Sequence, residues 1–149
     1  YRALVVGKIN KLEQTLTHLM KRSELNRKKF VVNLKKGKEA ITHIDVEETL
    51  PGYTLLTCRL ETGRTHQIRI HLAERGHAVC GEKVYNRKPH GEPIPDASGA
   101  PRLFLHAAEL GFVHPVTGEA LQWDMPLPDD LRDVLNGIRT SVRNLTIDN

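Results

Sequence analysis

The side chains best able to do chemistry are concentrated in Glu61-Thr62-Gly63-Arg64-Thr65-His66-Gln67-Ile68-Arg69-Ile70-His71-Leu72. Gly63 permits close approach to the backbone, and the free amides of a helix start attract anions. Arg64 and His66 stand where they could reinforce a phosphate, although an ordinary strand-to-helix turn has the same composition. Arg69 poses the sharper question. On a helix over 66–75, with Ile68 at the origin, Leu72 falls at about 40° and Ala73 at about 140°. Arg69 falls between them, at about 100°, inside the apolar arc. Gln67, His71, Glu74 and Arg75 lie at roughly 240–340° and read as the wet face. A guanidinium in an apolar arc needs a carboxylate or phosphate partner, or a stem that carries it out to water. No acid is an obvious partner. Glu61 is nearest, and it precedes the loop.

Other chemistries find less support. His66 and His71 are about 140° apart on the same helix and do not converge on one ion. Cys58 and Cys80 lack a close Cys or His pair and read as small core residues. Ser23, Ser98 and Ser141 lack a nucleophile elbow. A metal site therefore finds no support in the spacing.

The elements that must position this segment are short. Residues 3–6 read as a strand, as do 30–32. Leu12, Leu16 and Leu19 fit either a short helix or an edge strand. Ala40, Thr42, Ile44 and Val46 share one face at period two. Pro51-Gly52 marks a turn, and 53–60 a further strand. Thr65 is the expected N-cap of the following helix, and Gly76 its left-handed stop. Residues 86–101, rich in Pro and Gly, read as a long surface loop. A strand is expected over 103–110, a hairpin turn over 115–118, and a strand through Trp123. Leu131, Leu135 and Ile138 mark a final amphipathic helix. Consecutive strands without intervening helices predict an α+β fold: a mostly antiparallel or mixed β-sheet with flanking helices, in one domain or part of one.

The chain has 149 residues, 39% of them hydrophobic, so a core can form and wholesale disorder is excluded. No apolar run approaches the roughly 18 residues of a membrane span. With two cysteines and no signal-peptide pattern, a cytoplasmic setting is expected. The chain opens at Tyr1, inside a strand pattern, so we expect a natural protein that begins earlier. Net charge is +4, unevenly spread. Residues 1–43 carry 11 Lys/Arg against 3 Asp/Glu, and residues 91–149 carry 4 against 9. A basic front beside an acidic tail suggests one face built for a polyanion, with nucleic acid the commonest such partner; a merely solvated lysine face is the other reading.

The central segment, with Gly76, Gly81 and Tyr85, resembles the signature of the RluA-type RNA pseudouridine synthases: TGR-[ST]-HQ-[IL]-R-x-H, then G-x-x-x-x-G-D-x-x-Y. Further stretches resemble the same family. They are Tyr1-Arg2-Ala3-Leu4-Val5-Val6-Gly7, Gly37-Lys38-Glu39-Ala40-Ile41-Thr42, Leu103-Phe104-Leu105-His106-Ala107, and His114-Pro115 with Gly118. The resemblance covers about residues 1–137. Glu82 stands where the family usually has Asp. The family's catalytic aspartate lies in an H-R-L-D motif that normally precedes the strand beginning here at Tyr1, and no H-R-L-D occurs in these residues.

The resemblance implies conversion of uridine to pseudouridine in ribosomal or transfer RNA, on a nucleotide flipped into a pocket. It implies that residues 1–149 are the C-terminal portion of a catalytic domain, inactive alone; a catalytically silent RNA-binding module is the alternative. Arg69 would orient the missing aspartate and Tyr1 would pack against the base. Leu103 and Leu105 would line the pocket. Arg64, Thr65, His66 and Gln67, with Lys28 and Lys29 of the basic stretch 21–38, would hold RNA. Neither a metal nor a membrane enters this scheme.

Overall fold

A computed structural model describes residues 1–26, 29–33 and 35–147. Five long or medium strands form most of the sheet: β1 (Arg2–Val6), β2 (Glu13–Arg22), β3 (Phe30–Asn33), β4 (Lys38–Leu50) and β5 (Tyr53–Leu60). A helix, α1 (Gln67–Glu74), follows. Then come β6 (Leu105–His106), a hairpin of β7 (Glu109–Val113) and β8 (Ala120–Asp124), and a terminal helix, α2 (Asp129–Ile147). The six-stranded sheet runs β3-β2-β4-β5-β1-β6, and its pairings are all antiparallel. The predicted α+β class and antiparallel sheet are therefore seen.

The alternation read in the fourth strand is present. Ala40, Thr42 and Ile44 are buried on the α1 side, and the register shifts between Val46 and Glu48. The ambiguous leucine segment is a strand. Its inner positions, Gln14, Leu16, His18 and Met20, lie opposite Ile44, Thr42, Ala40 and Lys38; Leu12 precedes the strand and is exposed. Ala3, Leu4 and Val5 are all buried, as are Thr54, Leu55 and Leu56. Consecutive burial along a strand means that both sheet faces are covered at the centre. Ile68 and Leu72 of α1 and Leu131 and Leu135 of α2 all enter that core.

Two expectations need correction. The strand expected over 103–110 is broken. His106 lies opposite Arg2, the first residue of β1, and beyond it the chain leaves the sheet to pair β7 with β8 instead. The wet face expected on α1 is not one, because Gln67 and His71 are buried. Their polar atoms reach strand β4, so the helix is buried almost all round.

Two glycines allow this packing. Gly76 is left-handed at φ 79°, and the amides of Gly76 and His77 return to the carbonyls of Ala73 and Leu72, closing α1 as expected. Gly81, at φ 81°, presses against the 102–103 backbone, where a Cβ would stand 2.2 Å from the carbonyl oxygen of Arg102. Gly81→Ala combines a disfavoured φ with a clash against backbone. It should cost about 3 kcal/mol or more in urea unfolding; a variant as stable as the parent would show that the 102–103 segment yields freely.

Candidate active site

The loop between β5 and α1 is held from within. The Gln67 Oε1 accepts the Thr62 hydroxyl at 2.7 Å and the Arg64 amide at 3.0 Å. Its Nε2 donates to the Ile41 carbonyl and to Thr42 Oγ1, both at 2.9 Å. Both lone pairs and both protons of the amide are thus used inside the chain. The RNA contact expected of Gln67 has no free donor or acceptor; the side chain shapes the loop instead. Thr42 Oγ1 also hydrogen-bonds Nδ1 of the buried His71, 2.8 Å away.

These bonds hold His66 left-handed at φ 56°, in the N-cap position but without a side-chain cap bond. Thr65, the expected cap, lies one residue too early and is exposed.

Arg69 has a partner within the chain, contrary to the sequence expectation. Its Nε and Nη2 donate to the two carboxylate oxygens of Glu82, each at 2.6 Å. Side-chain exposures of 18% for Arg69 and 1% for Glu82 make this a largely buried, two-point pair. Oε1 of Glu82 also accepts the amides of Val84 and Tyr85, both at 3.0 Å. Burial alone would raise the Glu82 pKa; Arg69 and the two amides overcome it and hold the carboxyl below its ordinary value. The sequence does carry a signal, an acid directly after Gly81 in the matched motif. Nothing in the spacing says that residues 81–85 fold back onto α1.

Tyr85 links this pair to His66. Its ring lies under Arg69, with the guanidinium carbon 5.1 Å from the centroid. Its hydroxyl accepts the Phe30 amide at 3.1 Å and lies 2.8 Å from Nδ1 of His66. Burial, then the charge of Arg69, lower the His66 pKa, so the ring is neutral at pH 7. As a mainly neutral ring, His66 brings less positive charge than expected of it for phosphate.

The residues meet at a concavity of about 290 Å³, lined by Tyr1, Arg64, His66, Gln67, Arg69, Leu103 and Leu105, with Leu60 and Ile68. Sequence reasoning misses Leu60 and Ile68 as lining residues. Thr65 lines a neighbouring basic recess with Lys21, Arg22 and Lys38, joined to the first through Arg64. Arg64 is anchored by one bond, Nε to the Glu39 carbonyl at 2.8 Å. Lys29 stands elsewhere, 5.8 Å over the Tyr85 ring. Lys28 lies outside the described residues. Cys58 and Cys80 are buried, with thiols pushed up to about 12 by burial, as expected of inert core residues.

Comparison with known proteins decides the family. Residues 1–74 match the family described as RNA pseudouridylate synthase. Ribosomal large subunit pseudouridine synthase D of Nitrosomonas europaea is 43% identical over 143 residues, covering 93% of this chain and 40% of that protein. The chain belongs to the RNA pseudouridylate synthase family. The protein of the same description from Zymomonas mobilis is 38% identical over 146 residues, covering 97% of this chain and 46% of that one. The solved human RNA pseudouridylate synthase domain containing 1 shares the fold, with a TM-score of 0.66, 23% identity, and coverage of 93% of this chain and 64% of that one. The chain spans less than half the length of the curated relatives it matches. Among the described residues no helix is long and apolar enough to cross a membrane.

Because the folded-state pKa of Glu82 is depressed, its stabilising contribution is complete above the ordinary carboxylate range. It is lost as pH falls through the depressed value. Glu82→Gln leaves Arg69 without its counter-charge and should cost about 3 kcal/mol at neutral pH. Urea unfolding across pH should also show a shallower acid-side decline in the variant. Equal stabilities at pH 7, or parallel acid limbs, would contradict the assignment.

Proposed function

We propose that this chain is the C-terminal portion of a catalytic domain that converts uridine to pseudouridine in RNA, and that the 290 Å³ concavity receives the flipped nucleotide. The supporting observation is convergence. Tyr1, Arg64, His66, Arg69, Leu103 and Leu105 come from the two ends of the β1–α1 segment and from the strand after the long loop, yet they line one recess. Its apolar walls suit a base, and the basic recess sharing Arg64 suits the adjoining phosphates.

In the reaction the bond from C1′ to N1 of the base breaks, the base turns, C5 joins C1′ and gives up its proton, and N1 ends protonated. A carboxylate must act at the sugar. Glu82 is not that group, since its oxygens are committed to Arg69, Val84 and Tyr85. The guanidinium of Arg69 retains its Nη1 edge. There it can hold the aspartate of an H-R-L-D segment supplied by another part of the protein. Tyr1 packs on the base, Leu103 and Leu105 wall the recess, and Arg64 holds phosphate. Thr65, Lys28 and Lys29 belong to the basic surroundings, and Gln67 positions the loop. Ribosomal RNA is the proposed substrate, because the relatives are named for the large ribosomal subunit. The setting is cytoplasmic and no cofactor is used.

The alternative reading is an RNA-binding module without chemistry. Two measurements separate the readings. The chain alone, incubated with uridine-containing RNA, should leave pseudouridine at background by mass spectrometry; robust turnover refutes the need for an outside aspartate. In a full-length protein carrying this chain, Arg69→Ala should abolish turnover while RNA binding persists. Arg69→Lys, which keeps the charge but not the fork, should fall at least about 100-fold in turnover. Wild-type rates in both variants remove Arg69 from the site, and no turnover in the unmodified full-length protein leaves the silent module.

A further inference from the structure

At the other end of α1 lies a second recess, of about 260 Å³, that the proposed chemistry does not use. Lys8, Lys11 and Arg75 stand around it, with Asn10, Gln14 and His77 between them, and no carboxylate lines it. The three cations are exposed. Most described arginines are neutralised: Arg2, Arg59, Arg69, Arg102, Arg132 and Arg139 each hold a carboxylate. Arg75 has no such partner among the described residues, and neither Lys8 nor Lys11 has one. An apolar floor of Ile44 and Leu72 supplies the low-dielectric wall that concentrates the field of like charges.

The helix dipole does not account for this grouping. The C-terminal end of α1 carries roughly half a negative charge, which explains a cation at Arg75. It does not explain Lys8 and Lys11, which come from the β1–β2 connection, and three full charges exceed it. The positive field reaches inward as well: after burial, the charge of Arg75 is among the causes that lower the pKa values of His18 and His71. Both rings are thus held toward the neutral form.

We propose that Lys8, Lys11 and Arg75 form a second phosphate-binding site, which takes a phosphodiester of the RNA backbone, with Asn10, Gln14 and His77 as hydrogen-bonding neighbours. The assignment of the phosphate to RNA rests on the proposed function; the anion site itself does not. The uridine recess uses the His66–Arg69 end of α1 and this site uses the Leu72–His77 end. The two guanidinium-bearing residues, Arg69 and Arg75, lie six positions apart, about 9 Å along the helix axis. An RNA held at both ends is fixed across the helix rather than pivoting about its flipped nucleotide.

The test uses the whole chain and the triple variant Lys8→Gln, Lys11→Gln, Arg75→Gln, whose substitutions are all at exposed positions. Circular dichroism should show an unchanged fold. Fluorescence anisotropy with a labelled single-stranded RNA should show about tenfold weaker binding in low salt. The dependence of log affinity on log salt should flatten by roughly 0.7, the contribution of one phosphate neutralised on a single strand. Unchanged affinity and slope overturn the proposal, even if inorganic phosphate binds there, since the site would then serve the free anion. If the parent chain binds no RNA, the RNA reading fails separately and titration with inorganic phosphate decides the anion site. Saturable amide shifts at Gly76 and His77 that the triple variant lacks support it, and their absence overturns it.

Discussion

The arrangement depends on a charge that cannot be buried alone. Arg69 projects from a helix buried on nearly every side, and Glu82 meets it at two points. Removing two charges from water costs several kcal/mol each, so such a pair persists only where the remaining lone pairs are also used. Here they are. The same carboxylate takes the amides of Val84 and Tyr85, which fixes the turn and with it the Tyr85 ring beneath the guanidinium. The Tyr85 hydroxyl then gathers Phe30 and His66. One carboxylate thus sets the guanidinium, the aromatic support behind it and the neutral imidazole beside it.

A second hub, Gln67, does for the backbone what Glu82 does for the side chains. A left-handed non-glycine residue costs of order 1 kcal/mol, and His66 adopts that conformation on the rim of the recess. Four hydrogen bonds from one amide offset it, two to the loop and two to β4. The strand supplies Ile41 and Thr42 for this because Thr42 faces inward at the period-two positions. The geometry of the recess beside Arg69 is therefore tied to the most regular part of the sheet.

What can be read from the sequence follows from the range of each interaction. Period-two burial at Ala40, Thr42 and Ile44, the Gly76 stop and the Leu131–Leu135 stripe are local patterns, and each is present. The helical wheel misplaces Gln67 and His71 because it ranks residues by polarity, whereas burial here follows from partners on β4, 25 and 29 residues away. Glu82 stands out in the sequence as a motif position and not as the counter-charge, because only the fold of 81–85 brings it to Arg69. The strand expected over 103–110 runs too long for the opposite reason. Its local β-propensity is genuine, but its register against β1 runs out at Arg2.

Electrostatics and packing divide the labour across this face. The acidic second half of the chain is partly spent on structure, with Asp130 on Arg102 and Asp129 on Arg132, while Glu48 of β4 takes Arg139 of α2. Those pairs remove cations from the α2 region. The basic recesses at the two ends of α1 receive no such neutralisation from the residues that line them. Between them the walls are Tyr1, Leu60, Ile68, Leu103 and Leu105, and the two imidazoles nearest α1, His66 and His71, are neutral. Charge at the ends and apolar surface between is the pattern expected when phosphates supply the affinity and the flipped base is selected by shape and stacking.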